Sequence, residues 1–326
     1  MSSQQPKLKV TGLTKHFPVR GGGRKVVHAV DGVSFSIDKG KTLGLVGESG
    51  CGKSTCARTV IRIYDPTSGH IALDGQDITN LKQNEMMPFR RTMQMIFQDP
   101  YSSLNARMTV RDIISEPLNA HHAVTSRSEA DEMVNDMLEK VGLTREHANR
   151  YAHEFSGGQR QRVGIARALI LKPELVICDE PISALDVSIQ AQIVNMLKDF
   201  QDELGLTYLF IAHDLSMIRY VSDEVGVMYM GQLVELCEAN EIYRHPLHPY
   251  TIGLLGSIPI PNPRLARQKT VSSLDGDLPS PIDPPTGCRF HTRCPHVMDK
   301  CRVKEPLLCQ VAPGHHVSCH LFGCFD

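Results

Sequence analysis

The stretch Thr42-Leu43-Gly44-Leu45-Val46-Gly47-Glu48-Ser49-Gly50-Cys51-Gly52-Lys53-Ser54-Thr55 decides the fold. Its opening run, Thr42 to Val46, reads as a buried strand. A glycine-rich loop follows, then a helical pattern to about Ile63. A strand, a loop spaced Gly-x-x-x-x-Gly-Lys-Ser and a helix together make a cradle for phosphate. Glycines let backbone N–H groups close around a β-phosphate, and the helix N-terminus adds its positive dipole end. Gly47, Glu48, Ser49, Gly50, Cys51, Gly52, Lys53, Ser54 and Thr55 are the expected nucleotide contacts. Lys53 should reach the β- and γ-phosphates, and Ser54 should ligate Mg²⁺.

Working outward, two more apolar runs read as central parallel strands. Leu175–Cys178 delivers Asp179 and Glu180, and Tyr208–Ala212 delivers His213. An apolar strand that brings Asp179 to a metal's shell and sets Glu180 beside it can polarise an attacking water. Upstream, residues 7–38 alternate apolar and polar around Gly21-Gly22-Gly23, as an antiparallel sheet does. Residues 100–171 read as mostly helical, with three- and four-residue apolar spacing in Glu132–Val141 and Gln161–Ile170. Strand and helix alternation of this kind predicts an α/β fold with ligands at the carboxyl ends of its strands.

Composition narrows the classes. The 326 residues carry 35 Lys+Arg against 36 Asp+Glu, so no global field favours nucleic acid or an anionic membrane surface. No apolar stretch reaches the roughly 18–20 residues that span a bilayer. Met1-Ser2-Ser3-Gln4-Gln5-Pro6-Lys7 lacks the features of a secretory signal, which leads to a cytoplasmic expectation with no transmembrane segment and no signal peptide. Of ten cysteines, Cys288, Cys294, Cys301, Cys309, Cys319 and Cys324 crowd the end of the chain. A reducing compartment sets disulfides aside and makes clustered cysteines candidate metal ligands. Between Ile258 and Pro285 seven prolines mark a linker. The expected division is a nucleotide-binding domain over 1–257, with a helical subdomain at about 100–171, and a Pro-rich linker with a Cys-rich metal- or cluster-binding extension over 258–326.

Phe155-Ser156-Gly157-Gly158-Gln159-Arg160-Gln161-Arg162 resembles the signature motif of ATP-binding cassette (ABC) proteins. The resemblance covers about Leu8 to Tyr250. It implies a cassette ATPase core with an antiparallel β subdomain and a helical subdomain. It also implies a head-to-tail dimer in which Ser156, Gly157, Gly158 and Gln159 touch the γ-phosphate held by the opposite subunit. Gln98, after Met95-Ile96-Phe97, resembles the glutamine that senses Mg²⁺ and couples to membrane subunits. Ser183-Ala184-Leu185-Asp186 resembles the loop at the dimer seam, and His213 the switch histidine at the γ-phosphate. Phe17 resembles the aromatic that stacks on adenine. Glu180, His213 and Gln98 are then the catalytic set, and Ser54, Gln98 and Asp179 the Mg²⁺ set.

His245-Pro246-Leu247-His248-Pro249-Tyr250-Thr251-Ile252-Gly253-Leu254-Leu255 and Pro284–Pro295 are similar to the ATPases of dipeptide and oligopeptide importers, most of all to the second ATPase of the dipeptide system. That branch implies ATP-driven peptide uptake through two transmembrane permeases, with a second, related ATPase as partner and an extracytoplasmic solute-binding protein acting indirectly. The chain would then sit peripherally on the cytoplasmic face of the inner membrane. Nickel and glutathione importers share the branch. A soluble cassette acting on DNA or ribosomes is the rival class, against which stand one motif set, no heptad run and no basic stripe.

Cys288, Cys294, Cys301 and Cys319 are separated by five, six and seventeen residues. Four thiolates suit Zn²⁺ or an iron–sulfur cluster, and the chemistry alone leaves both open. The resemblance implies a 4Fe–4S cluster on these four. Cys309 and Cys324 are left over by this count.

Overall fold

The computed structural model describes residues 5–19, 21, 23, 25–183, 185–213, 215–257 and 278–324. Most of the Pro-rich linker and Ala184 of the seam loop therefore lie outside the described residues. In chain order the first strands are β1 (Leu8–Pro18), β2 (Val26–Ile37), β3 (Thr42–Val46), β4 (Ser68–Leu73), β5 (Gln76–Asp77) and β6 (Met93–Ile96). They are followed by β7 (Leu175–Asp179), β8 (Thr207–Ile211), β9 (Glu224–Tyr229), β10 (Gln232–Glu238), β11 (Cys309–Ala312) and β12 (His315–Val317). The helices are α1 (Lys53–Val60), α2 (Met87–Thr92), α3 (Pro100–Ser103), α4 (Val110–Ala120), α5 (Arg127–Lys140) and α6 (Gly157–Leu169). After them come α7 (Val187–Leu204), α8 (Leu215–Val221), α9 (Ala239–Arg244), α10 (Pro249–Gly256) and α11 (Asp299–Val303). No helix among the described residues is long and apolar enough to cross a membrane.

These elements form two units. The carboxylate unit comprises Ser36–Thr42, Ala72–Ala212 and the described residues up to Leu8. Its parallel strands β6, β7 and β8 align Met95 with Ile177 and Ile177 with Leu209. Every residue of β7 and β8 is buried. Parallel strands covered on both faces need continuous apolar runs, which is how the sequence announces them. The stretch read as helical supplies α4, α5 and α6, packed on one another. Thr109 and Ser126 begin α4 and α5 by accepting hydrogen bonds from the Asp112 and Glu129 N–H groups. The buried Lys7 ammonium donates to Asp74 at 2.6 Å and Glu174 at 2.7 Å, fastening the start of β1.

The phosphate-loop unit comprises Lys9–Phe35, Leu43–Ile71 and the described part of His213–Asp326. Here β3 runs parallel to β9, with Val46 beside Val227. β10 is antiparallel to β9 and to β12, and β11 is antiparallel to β12. Two strands of the Cys-rich end are thus joined to the same sheet as β3. The fastener is Glu235, fully buried in β10. Its carboxylate accepts from the Leu247 and His248 N–H groups and pairs with His315 Nε2 at 2.8 Å. Three polar partners compensate its desolvation.

The two cysteines that the sequence count left over are joined in a disulfide, Cys309–Cys324, which corrects the expectation that disulfides play no part. Topology brings them together. Cys309 lies opposite Val317 across the β11–β12 pair, and Cys324 Sγ lies 3.3 Å from the Val317 carbonyl oxygen.

Candidate nucleotide-binding site

In the phosphate-loop unit, β3 ends where the glycines begin, and their backbone angles explain the residue choice. Gly47 has φ of 151° and Gly52 has φ of 106°, both hostile to a side chain. Space forbids one as well. A Cβ on Gly47 would lie 2.2 Å from the Met228 carbonyl oxygen, and one on Gly52 would lie 2.1 Å from that of Ala29. Gly52 caps α1, so the loop delivers its N–H groups at a helix N-terminus. Lys53 is buried, and its ammonium donates to the carbonyls of Gly47 at 2.8 Å and Glu48 at 3.0 Å. Ser54 and Thr55 occupy the first turn of α1. Burial pushes the Cys51 thiol pKa up, so at neutral pH it is a neutral filler beneath the loop.

The same unit holds Phe17 and His213. Phe17 is half-buried, edge-on to Tyr64 with ring centroids 5.3 Å apart, and Lys15 Nζ lies 4.8 Å from its centroid. His213 is exposed just after β8.

In the carboxylate unit, β7 brings Asp179, fully buried, and then Glu180, 4 % exposed. Glu180 has φ of 48°, a left-handed conformation that is uncommon outside glycine and clusters at functional sites. Hydrogen bonds at both backbone and side chain hold it there. Its N–H donates to the Ile211 carbonyl at 3.0 Å, and Gln98 Nε2 donates to its carboxylate at 2.6 Å. Gln98 and Glu180, predicted separately and 82 residues apart, are thus one pair.

Ser156 begins α6 with a reciprocal cap: its hydroxyl accepts from the Gln159 N–H, and Gln159 Oε1 accepts from the Ser156 N–H at 3.0 Å. Gly158 lets α6 close against α7, because a Cβ there would meet Ile189 Cγ2 at 2.8 Å. Gly157 is less crowded, with Leu185 Cδ2 at 3.7 Å from such a Cβ. Asp186 is exposed at the start of α7, and its carbonyl accepts from the Ile189 and Gln190 N–H groups.

The four candidate metal ligands at the chain end are free thiols. The Cys288 N–H donates to the Cys301 carbonyl at 2.8 Å. Burial pushes Cys288 up to about 12 and raises Cys294 and Cys319, each further raised by other thiols of the set. Among the described residues, the one group of three or more metal-donor side chains lying within 4.8 Å of one another is His16, His28 and Asp31. That carboxylate is already occupied, paired with His16, His28 and Arg289. Burial raises the Asp31 pKa, but the Arg289 guanidinium, together with His28 and His16, more than offsets this, and the net shift is downward.

Tyr250 and Arg293 also belong to the site, although no local sequence pattern marks them. The Glu48 N–H donates to the Tyr250 hydroxyl at 2.8 Å, and Arg293 holds the Glu48 carboxylate. The nearest cue is the place of Arg293 beside a candidate ligand cysteine, Cys294.

The family profile described as ABC transporter matches residues 30–183, and that of the oligopeptide/dipeptide transporter C-terminal region matches residues 234–301. The chain is 54% identical to the oligopeptide transport ATP-binding protein AppF of Bacillus subtilis (strain 168), over 99% of each chain. It is 52% identical to the oligopeptide transport ATP-binding protein OppF of Escherichia coli (strain K12), covering 96% of this chain and 95% of that one. A dimeric post-hydrolysis structure of the ATP-binding cassette MJ0796 with ADP and Pi matches with a TM-score of 0.66 at 27% identity, covering 71% of this chain and 98% of that one. Identity this high over nearly the whole length places the chain in the oligopeptide transport ATP-binding family of ABC transporters.

Proposed function

We propose that this chain is the ATP-hydrolysing subunit of an importer of dipeptides and oligopeptides. The observation that carries the hydrolytic part is the Gln98–Glu180 pair: a carboxylate fixed at backbone and side chain after a buried aspartate. In the carboxylate unit Glu180 orients a water for attack on the γ-phosphate and takes its proton, while Gln98 keeps the carboxylate aimed. In the phosphate-loop unit the Gly47–Thr55 backbone and Lys53 bind the β- and γ-phosphates, Phe17 stacks on adenine and His213 contacts the γ-phosphate. Ser54, Gln98 and Asp179 supply the hard oxygen donors that suit Mg²⁺, which when bound neutralises phosphate charge. Ser156, Gly157, Gly158 and Gln159 at the start of α6 bind the γ-phosphate held by a second, related ATPase. Asp186 lies at that seam. Val187, 82% exposed on the first turn of α7, supports a surface meant for a partner.

The partners in this reading are that second ATPase and two transmembrane permeases, with an extracytoplasmic binding protein acting indirectly. The chain is peripheral on the cytoplasmic face of the inner membrane. Residues 1–257 serve nucleotide and 258–326 form the linker and Cys-rich extension. The relatives' names favour peptide over nickel or glutathione, and over work on DNA or ribosomes. Deleting the chain from its own cell should abolish uptake of labelled di- and oligopeptides. Wild type should restore it and Glu180→Gln should not; undiminished uptake after deletion refutes the reading.

The tail reading is a 4Fe–4S cluster on Cys288, Cys294, Cys301 and Cys319, with Zn²⁺ as the alternative. Support comes from the donor set: four free thiols, apart from the Cys309–Cys324 disulfide, each of three sensing others in the set. No three of them approach within 4.8 Å of one another. When bound, the cluster would crosslink the segments that carry the thiols. Anaerobic purification should give a brown protein containing iron and sulfide; a colourless, zinc-loaded protein overturns the cluster.

A further inference from the structure

Glu48, second residue of the phosphate loop, is gripped from the far end of the chain. Arg293 Nη1 donates to Glu48 Oε2 at 2.8 Å and Nη2 to Oε1 at 3.1 Å, a forked pair on a planar carboxylate. The arginine side chain is only 5% exposed and the glutamate side chain 25%, so solvent screens the pair incompletely. The Glu48 N–H is held too, by the hydroxyl of the fully buried Tyr250. Tyr250 packs against Phe290 with ring centroids 5.5 Å apart, and Phe290 meets Tyr229 at 5.2 Å. Both handles on Glu48 therefore root in one aromatic cluster, to which the segment Cys288–Cys294 contributes Phe290.

A second arginine of that segment reaches the other side of the loop. Arg289 donates to the Met230 carbonyl and to Asp31. The next residue, Gly231, donates its N–H to the Cys51 carbonyl at 2.7 Å, and its own carbonyl accepts from the Asp31 N–H at 2.8 Å. The tail thus holds the glycine-rich loop at Glu48 directly and at Cys51 through the Met230–Gly231 turn.

We propose that Arg293 is a positioning residue for ATP: by fixing Glu48 it sets the path of the Gly47–Gly52 backbone, so that the tail segment Cys288–Cys294 controls nucleotide affinity. This rests on the reading of that loop as the phosphate cradle. A glycine-rich loop is soft, and N–H donors bind an anion well only when they are aimed beforehand. Releasing Glu48 makes ATP binding carry the cost of ordering the loop. It also leaves a carboxylate without its cation beside a polyanion site, where like charges repel. Lysine keeps the charge of arginine but loses the fork, so it separates the two contributions.

The test is an equilibrium titration of the full chain with a fluorescent ATP analogue, with KM, kcat and melting temperature measured in parallel. The variants are Arg293→Ala, Arg293→Lys, Glu48→Gln and the two double variants. Arg293→Ala should raise Kd and KM for ATP about tenfold with kcat changed less than about twofold, and Arg293→Lys should recover part of the loss. Adding Glu48→Gln to either arginine variant should cost little more, since the two residues act as a unit. Should Arg293→Ala fail to fold, the Arg293→Lys and Glu48→Gln cycle carries the same comparison. A lower melting temperature with unchanged Kd and KM, or effects that simply add, overturns the proposal. Failure of the wild-type chain to bind ATP would instead remove the cradle reading, and the proposal with it.

Discussion

Replacing Gly52 by alanine tests the cradle most sharply, because the structure assigns the substitution two separate costs. At φ of 106° the backbone lies outside the regions open to a residue with a Cβ, a strain of about 1–3 kcal/mol. The new methyl would also lie 2.1 Å from the Ala29 carbonyl oxygen, a backbone atom that no rotamer change can move away. Overpacking of that kind costs about 1–3 kcal/mol more. The loop can escape both by leaving the path that aims its N–H groups, so a combined ~2–6 kcal/mol should surface as lost ATP affinity. The lower bound corresponds to about 30-fold in Kd. Gly50→Ala is the internal control: its φ of 81° is strained, but a Cβ there meets nothing within 4 Å. That variant should lose about 1–2 kcal/mol at most, tenfold or so. Titration with a fluorescent ATP analogue measures both. Equal affinities for the two variants, or wild-type affinity in Gly52→Ala, would refute the reasoning.

Three other outcomes follow from the geometry. Glu180→Gln should still bind ATP but turn over about 10²–10⁴-fold more slowly in a phosphate-release assay; normal turnover removes its role as base. His248 is buried, and that burial lowers its pKa to about 4 although Glu235 opposes the shift. The unfolded chain therefore binds the extra proton first: this contribution is fully present above about pH 6.5 and is lost progressively toward pH 4, by about 3 kcal/mol. Urea denaturation across that range checks it, and His248→Gln should flatten the profile. Cys324→Ser opens a loop of sequence separation 15 and should cost about 3 kcal/mol in denaturation without reductant. Wild type in strong reductant should match the variant.

The sequence made β3, β7 and β8 legible because strands buried on both faces cannot hide their apolar runs. The loop was legible for a related reason, since only glycine fits the backbone at Gly47 and Gly52. What stayed hidden depends on pairing across distance. Glu235 looks like an ordinary charge in β10, yet it is fully buried and its partner His315 lies 80 residues on. Arg293 and Glu48 are 245 residues apart, and no local pattern announces that they meet. The left-handed backbone of Glu180 is likewise invisible, because glutamate gives no hint of it. The disulfide is hidden for a topological reason: only the fold beyond the β11–β12 pair brings Cys324 back to Cys309.

The central claim is that this ATPase drives a membrane importer. Its most direct test is a mild-detergent pull-down of the full chain from its own membranes, with the associated proteins identified by mass spectrometry. The account predicts two multi-span permeases and a second, related ATPase. Recovery of ribosomal or DNA-bound proteins, with no permease among them, would contradict it.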